Sequence, residues 1–183
     1  TADAWRTDLP GAVVTTHPCD IRDAAAVEMM LDDVWRHGAP DILVNNAAAN
    51  FLAQTHRLSA RALDAVLSTT LHGAAYCTIG CGRRWIEAKQ PGVVLSILTL
   101  SALQGGAFTT PSAMAKAGLL AMTQSLAVEW GPHGIRLVAI APGTFPTEAA
   151  VARLRPGGMD HAGVPLRRAG KHEELTDLAA FLV

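Results

Sequence analysis

Apolar positions along this 183-residue chain follow two alternating periods. Short runs rich in β-branched and aliphatic residues lie at 12–16 (AVVTT), 42–45 (ILVN), 93–97 (VVLSI) and 135–140 (IRLVAI). They have the length and composition of strands. Between them the apolar residues recur three and four apart. From 23 to 36 they are Ala26, Val27, Met30, Leu31, Val34 and Trp35, stopped by Gly38 and Pro40. Ser59 stands as an N-cap before a long helical pattern reaching about 88, and Pro91-Gly92 supplies the next turn. A helix is predicted over 112–130, closed by Gly131-Pro132, and Leu175, Leu178, Ala179 and Leu182 mark a last helical stretch. Continuously apolar strands alternating with helices predict an α/β domain, a doubly wound parallel sheet covered on both faces. No repeat, low-complexity segment or linker divides residues 1–183, so one domain is expected.

Right-handed crossovers put the C-terminal ends of parallel strands on one edge, where ligands bind in such sheets. Three polar clusters follow strand ends and so converge there: Asn45-Asn46, Thr99-Leu100-Ser101 and Pro142-Gly143-Thr144.

Composition narrows the picture. Half the residues are hydrophobic, which suits a packed interior, and the net charge of −1 gives no electrostatic case for nucleic acid or an anionic membrane. Arg83 and Arg84 read as a solvated helix face. Cys19, Cys77 and Cys81 have no zinc-type spacing, and no metal site is predicted; Cys77 and Cys81 read as small buried hydrophobes. No apolar run approaches the ~18 residues of a membrane span and no secretory signal opens the chain, so the cytoplasm is expected. The polar start at Thr1 and the end at Val183 within a helical pattern suggest a fragment, incomplete at both ends.

Taken in order, CDI at 19–21, ILVNNAA at 42–48, VVLSI at 93–97, Ser112 with Lys116, SLAVEWGPHGIRLVAIAPG at 125–143 and PTE at 146–148 resemble the short-chain dehydrogenase/reductase superfamily. PSAMAKAG, EWG, APG, TEAA and PLRRAGKHEEL look most like its 2,4-dienoyl-CoA and enoyl-CoA reductase branch. The resemblance covers nearly the whole chain. It implies a Rossmann-type fold, a nicotinamide dinucleotide (NADP by branch, NAD possible) and an acyl-CoA substrate. It also implies a first strand with a glycine-rich turn before Thr1 and a last strand after Val183. Gly80 and Gly82 lie inside a helical pattern and do not replace that turn.

By this resemblance Asp20 and Ile21 lie beside the adenine, where a carboxylate accepts amino protons; a helix N-terminal acid is the alternative for Asp20. Asn45 and Ala47-Ala48 match the loop under the adenine ribose, or form a structural turn. Lys116 matches the lysine that bonds the nicotinamide ribose and lowers the pKa of a donor tyrosine. Thr99 takes the place of a catalytic serine, or is a strand-end threonine. Pro142, Gly143 and Thr147 match the segment closing on the nicotinamide, with a helix N-cap as the alternative for Thr147.

The donor itself is missing. Most of the superfamily has tyrosine four residues before the lysine, and here that residue is Ser112. Dienoyl-CoA reductases take it from fifteen residues before, and here that residue is Ser101. Tyr76, the single tyrosine, reads as a packing residue. An aliphatic hydroxyl is too weak an acid to donate near neutrality, so Ser112 or Ser101 reads as a hydrogen-bonding group or relay. His72, in Leu71-His72-Gly73 where the branch pattern places an active-site Asn, is a candidate donor, or a helix histidine bonded to backbone. Three readings stay open: an acyl-CoA reductase, a carbonyl or alcohol dehydrogenase of the same superfamily, and a non-catalytic assembly partner. By family analogy the helices at 59–88 and 112–130 pair subunits, with Ala113, Ala117, Ala121 and Met122 allowing close approach, so a homo-oligomer (dimer or tetramer) is expected.

Overall fold

The computed structural model describes residues 2–8, 11–147, 151 and 162–183. Three parallel strands form its sheet in the order β1 (Ile42–Asn45), β2 (Gly92–Ile97), β3 (Ile135–Ile140). Val44 pairs with Leu95, and Leu95 with Val138. The strands alternate with helices: α1 (Ala2–Asp8) and α2 (Ala24–His37) before β1, then α3 (Ala60–Leu67) and α4 (Gly73–Ala88), α5 (Ser101–Gln104) and α6 (Thr110–Trp130), and α7 (His172–Leu182). This is the Rossmann-type arrangement expected, as a partial domain.

Local chemistry explains the helix ends. Asp23 caps α2, its carboxylate accepting from the amides of Ala25 and Ala26. Ser59 caps α3 through Ala62 N. The long helix expected over 59–88 is continuous but changes pitch at a π turn, Ser68–His72, between α3 and α4. Lys89, in the left-handed region, ends α4.

One face of the sheet is closed by α2, α4 and α6. Its core joins Val27 and Leu31 of α2, Cys77, Cys81 and Trp85 of α4, Val94 of β2, Ile135 and Leu137 of β3, and Trp130 at the end of α6. Burial pushes the Cys77 thiol up to about 11 and Cys81 to about 12, as inert apolar fillers. Close packing depends on glycine: a methyl on Gly82 would stand 2.3 Å from the Trp130 ring, and one on Gly80 2.4 Å from Leu31.

Three expectations are corrected. Residues 12–16 form no strand; this segment has no ladder partner beside it, and Val13 is exposed. A parallel strand is held by its neighbours, so β-branched composition alone does not make one. The second sheet face is only partly covered. Arg136 points to it and donates to the carbonyls of Leu182 and Val183, which brings the end of α7 there, whereas Ile42 and Val44 of β1 are exposed. Arg84 is not solvated: it is ion-paired to Glu28 (3.0 Å) and Asp32 and so ties α4 to α2.

Candidate functional site

Lys116 anchors the site. On α6 the buried residues Ser112, Ala115, Lys116, Leu119 and Thr123 form one inward stripe at helical spacing. That stripe carries the Lys116 side chain under the sheet edge, where Nζ donates to the main-chain carbonyl of Ile97, the last residue of β2. Lys116 is 6% exposed, and burial alone lowers its pKa to about 8. A buried ammonium therefore stands at a strand terminus, one turn after the buried Ser112 hydroxyl.

The strand-end loops meet beside it. Thr99 is half-buried, its carbonyl accepts from Ala102 N, and Ser101 Oγ lies 3.4 Å from Thr99 Oγ1. Gly143 lies against Leu100: a methyl added there would stand 3.7 Å from Leu100 Cδ1. The loop after β3, with half-buried Pro142, thus abuts the loop after β2. Thr147 is exposed, and its carbonyl accepts from Val151 N. Glu148 and the rest of TEAA lie outside the described residues.

A second group of predicted residues lines one cleft of about 150 Å³. Ile21, Asn45, Asn46 and Ala47 border it, with Gly73 as part of the floor. A methyl on Gly73 would meet Ile21 Cδ1 at 2.6 Å, so glycine lets the 19–21 segment lie on α4. Asn45 is buried and donates through Nδ2 to Thr78 Oγ1 at 2.8 Å. Asp20 faces a different, open cleft of about 440 Å³ with Arg22, Arg61 and Asp64. Its carboxylate accepts from Arg22 Nε and Nη2, which holds its pKa down at about 2. His72 is exposed, in the π turn, its ring 6.3 Å from that of Tyr76, which packs on the core.

Sequence reasoning missed four polar groups. Thr70, in the π turn, is fully buried and brackets the loop after β1: its hydroxyl accepts from Ala49 N (3.0 Å) and donates to Ala49 O (3.3 Å). Thr78 holds Asn45. Asn50 Oδ1 and Ser96 Oγ are buried with no hydrogen-bond partner. Buried polar atoms are normally paired, and Asn50 follows the Asn45–Ala47 segment that borders the cleft. The run Ser68-Thr69-Thr70 in an otherwise helical pattern was the available signal for the π turn.

These residues suit a nicotinamide dinucleotide at its two ends: a cleft of small residues and amides for an adenosine, and a buried ammonium with a hydroxyl cluster for a ribose. Among the described residues no glycine-rich turn is available to cradle phosphates, since Gly80 and Gly82 are filled by Leu31 and Trp130.

Comparison with known proteins agrees with this geometry. The family profile described as enoyl-(acyl carrier protein) reductase matches residues 1–183. An uncharacterized oxidoreductase of Caenorhabditis elegans is 44% identical over 190 residues, spanning 100% of this chain and 60% of the relative. A probable 2,4-dienoyl-CoA reductase of Bacillus subtilis is 41% identical over 90% of this chain and 67% of its own length. A crystal structure of a short chain dehydrogenase from Bacillus anthracis superposes with a TM-score of 0.86 at 34% identity, covering 99% of this chain and 73% of that one. The chain thus spans about 60% of the length of the Caenorhabditis relative. With its parallel sheet, its buried α6 lysine and these matches, the chain belongs to the short-chain dehydrogenase/reductase family.

Proposed function

We propose that the protein carrying this chain is an oxidoreductase dependent on NADP(H), with NAD(H) as the alternative, that reduces a 2,4-dienoyl-CoA or 2-enoyl-CoA thioester. The carrying observation is Lys116, buried one turn after Ser112 with its ammonium at the end of β2. Relatives named 2,4-dienoyl-CoA reductase, at 36–41% identity, support the substrate class.

When bound, the nicotinamide would supply the hydride. One Lys116 N–H holds the Ile97 carbonyl, leaving two donors for ribose hydroxyls. Thr99 and Ser101, whose hydroxyl oxygens lie 3.4 Å apart, would bond the thioester oxygen. With serine at both donor positions, the proton comes from His72 or from water relayed through Ser101 or Ser112. Pro142, Gly143 and Thr147 would hold the nicotinamide end of the cofactor, and Asp20, Ile21, Asn45 and Ala47 its adenosine end.

The test is NADPH oxidation by the purified protein with a 2,4-dienoyl-CoA and, separately, a 3-oxoacyl ester. Preference for the dienoyl thioester supports the proposal; preference for the ketone makes the protein a carbonyl dehydrogenase. No turnover with either supports a non-catalytic assembly partner, a reading favoured by the absence of tyrosine at 101 and 112. Unchanged turnover in His72→Ala removes His72 as donor.

We also propose a homo-oligomer through α4 and α6, where Ala117, Ala121, Met114 and Ile79 are exposed. A monomeric mass in solution refutes it. The three free cysteines suit the cytoplasm. Among the described residues no helix is long and apolar enough to cross a membrane.

A further inference from the structure

His17, Asp33 and His37 converge from two separate segments. Each offers one ligand atom, and these atoms lie within 4.8 Å of one another. Asp33 and His37 are four apart on α2, hence on one face. His17 comes from the extended segment before that helix and reaches Asp33 Oδ2 through Nδ1 at 2.7 Å.

The outer contacts of both imidazoles are those of metal ligands. A metal-binding histidine donates its other ring N–H to a carbonyl or similar acceptor, which fixes the ring and its tautomer. His37 Nδ1 donates to the Asp33 carbonyl at 2.9 Å, leaving Nε2 with its lone pair outward. His17 Nε2 lies 3.1 Å from Thr15 Oγ1, which can accept its proton once Nδ1 binds a cation. Arg36 takes Asp33 Oδ1 at 3.0 Å and leaves Oδ2 for the metal. Ligand atoms ~2.1 Å from a tetrahedral zinc stand about 3.4 Å apart, a spacing these side chains reach with small rotamer shifts. His17 and Asp33 also line an open cavity of about 310 Å³ with Met30, which leaves room for water at a fourth position.

We propose that His17, Asp33 and His37 form a binding site for a divalent transition metal of the zinc class. On binding, the single ring proton of His17 moves from Nδ1 to Nε2, where Thr15 Oγ1 accepts it, and the Nδ1 lone pair and Asp33 Oδ2 turn to the metal. The metal clamps the strandless segment 12–17 onto α2, immediately before Asp20 and Ile21, and so steadies the adenosine end of the candidate site.

The test is calorimetric titration of the chelator-stripped full chain with Zn²⁺. One equivalent should bind, and His37→Ala, an exposed change, should weaken binding at least tenfold with far-UV circular dichroism unchanged. Asp33→Asn should weaken it comparably, and His133→Ala, a distant histidine, should leave it intact. Absence of a one-equivalent site, wild-type affinity in His37→Ala, or equal loss in His133→Ala overturns the proposal.

Discussion

The ammonium of Lys116 donates to the main-chain carbonyl of Ile97, so a cation on α6 holds the terminus of the central strand. Burial brings its pKa down from 10.5 to about 8. Between those values the unfolded chain binds more protons than the folded one, so stability rises with pH through that window and is unaffected by this group below it. The full effect is on the order of 3 kcal/mol. Urea melts at pH 7 and pH 10 check it. Wild type should gain stability relative to Lys116→Met over that interval, and parallel behaviour of the two proteins would refute the assignment.

Asn45 and Thr78 form a buried amide–hydroxyl bond that fixes the loop after β1. Thr78→Val leaves the Asn45 amide unsatisfied and should destabilise by about 1–3 kcal/mol. In a double-mutant cycle with Asn45→Leu the coupling should be about 1 kcal/mol. Strictly additive losses would mean that the bond does not hold the loop.

Ser101 sits at the start of α5 beside Thr99. If the proton donor limits turnover, Ser101→Tyr should raise the dienoyl-CoA reduction rate of the protein carrying this chain at least tenfold, as general acid catalysis is worth about 10²–10⁴. An unchanged kcat with an unchanged KM would show that protonation is not limiting.

The sequence made legible whatever rests on periodicity or on spacing along one helix. The three strands, the caps Asp23 and Ser59 and the Ser112–Lys116 pair fall there. It failed where structure depends on a neighbour. Residues 12–16 have strand composition but no partner, so they form no strand. Arg84 looked like a solvated cation because Glu28 and Asp32, which bind it, are more than fifty residues away. Thr70 and Asn50 were not seen because burial of a single hydroxyl or amide leaves no periodic trace. The pairing of Asp20 with Arg22, only two residues on, likewise leaves no periodic trace.

Gly82 is a socket for the Trp130 ring. Alanine in a helix interior normally gains about 1 kcal/mol over glycine. Here the methyl would collide with a buried indole, so Gly82→Ala should lose about 1–3 kcal/mol despite its better propensity. Combined with Trp130→Leu, it should lose less than the two single losses added. Thermal melts of the four proteins decide it.

The π turn at Ser68–His72 has a consequence for how this helix tolerates change. An α-helix turns about 100° per residue, and one extra residue per turn shifts the phase of everything upstream by that angle. Past the turn, Cys77 and Cys81 pack in the core and Ala74 beside Leu98 and Leu119, while Val66 before the turn and Thr70 within it are also buried. Deleting one residue between 68 and 72 would restore a uniform helix and swing Thr70 away from Ala49. The loop after β1 would then lose the Thr70–Ala49 clasp while the core kept its packing. Substitutions along this helix are therefore graded by position, but its length is not negotiable.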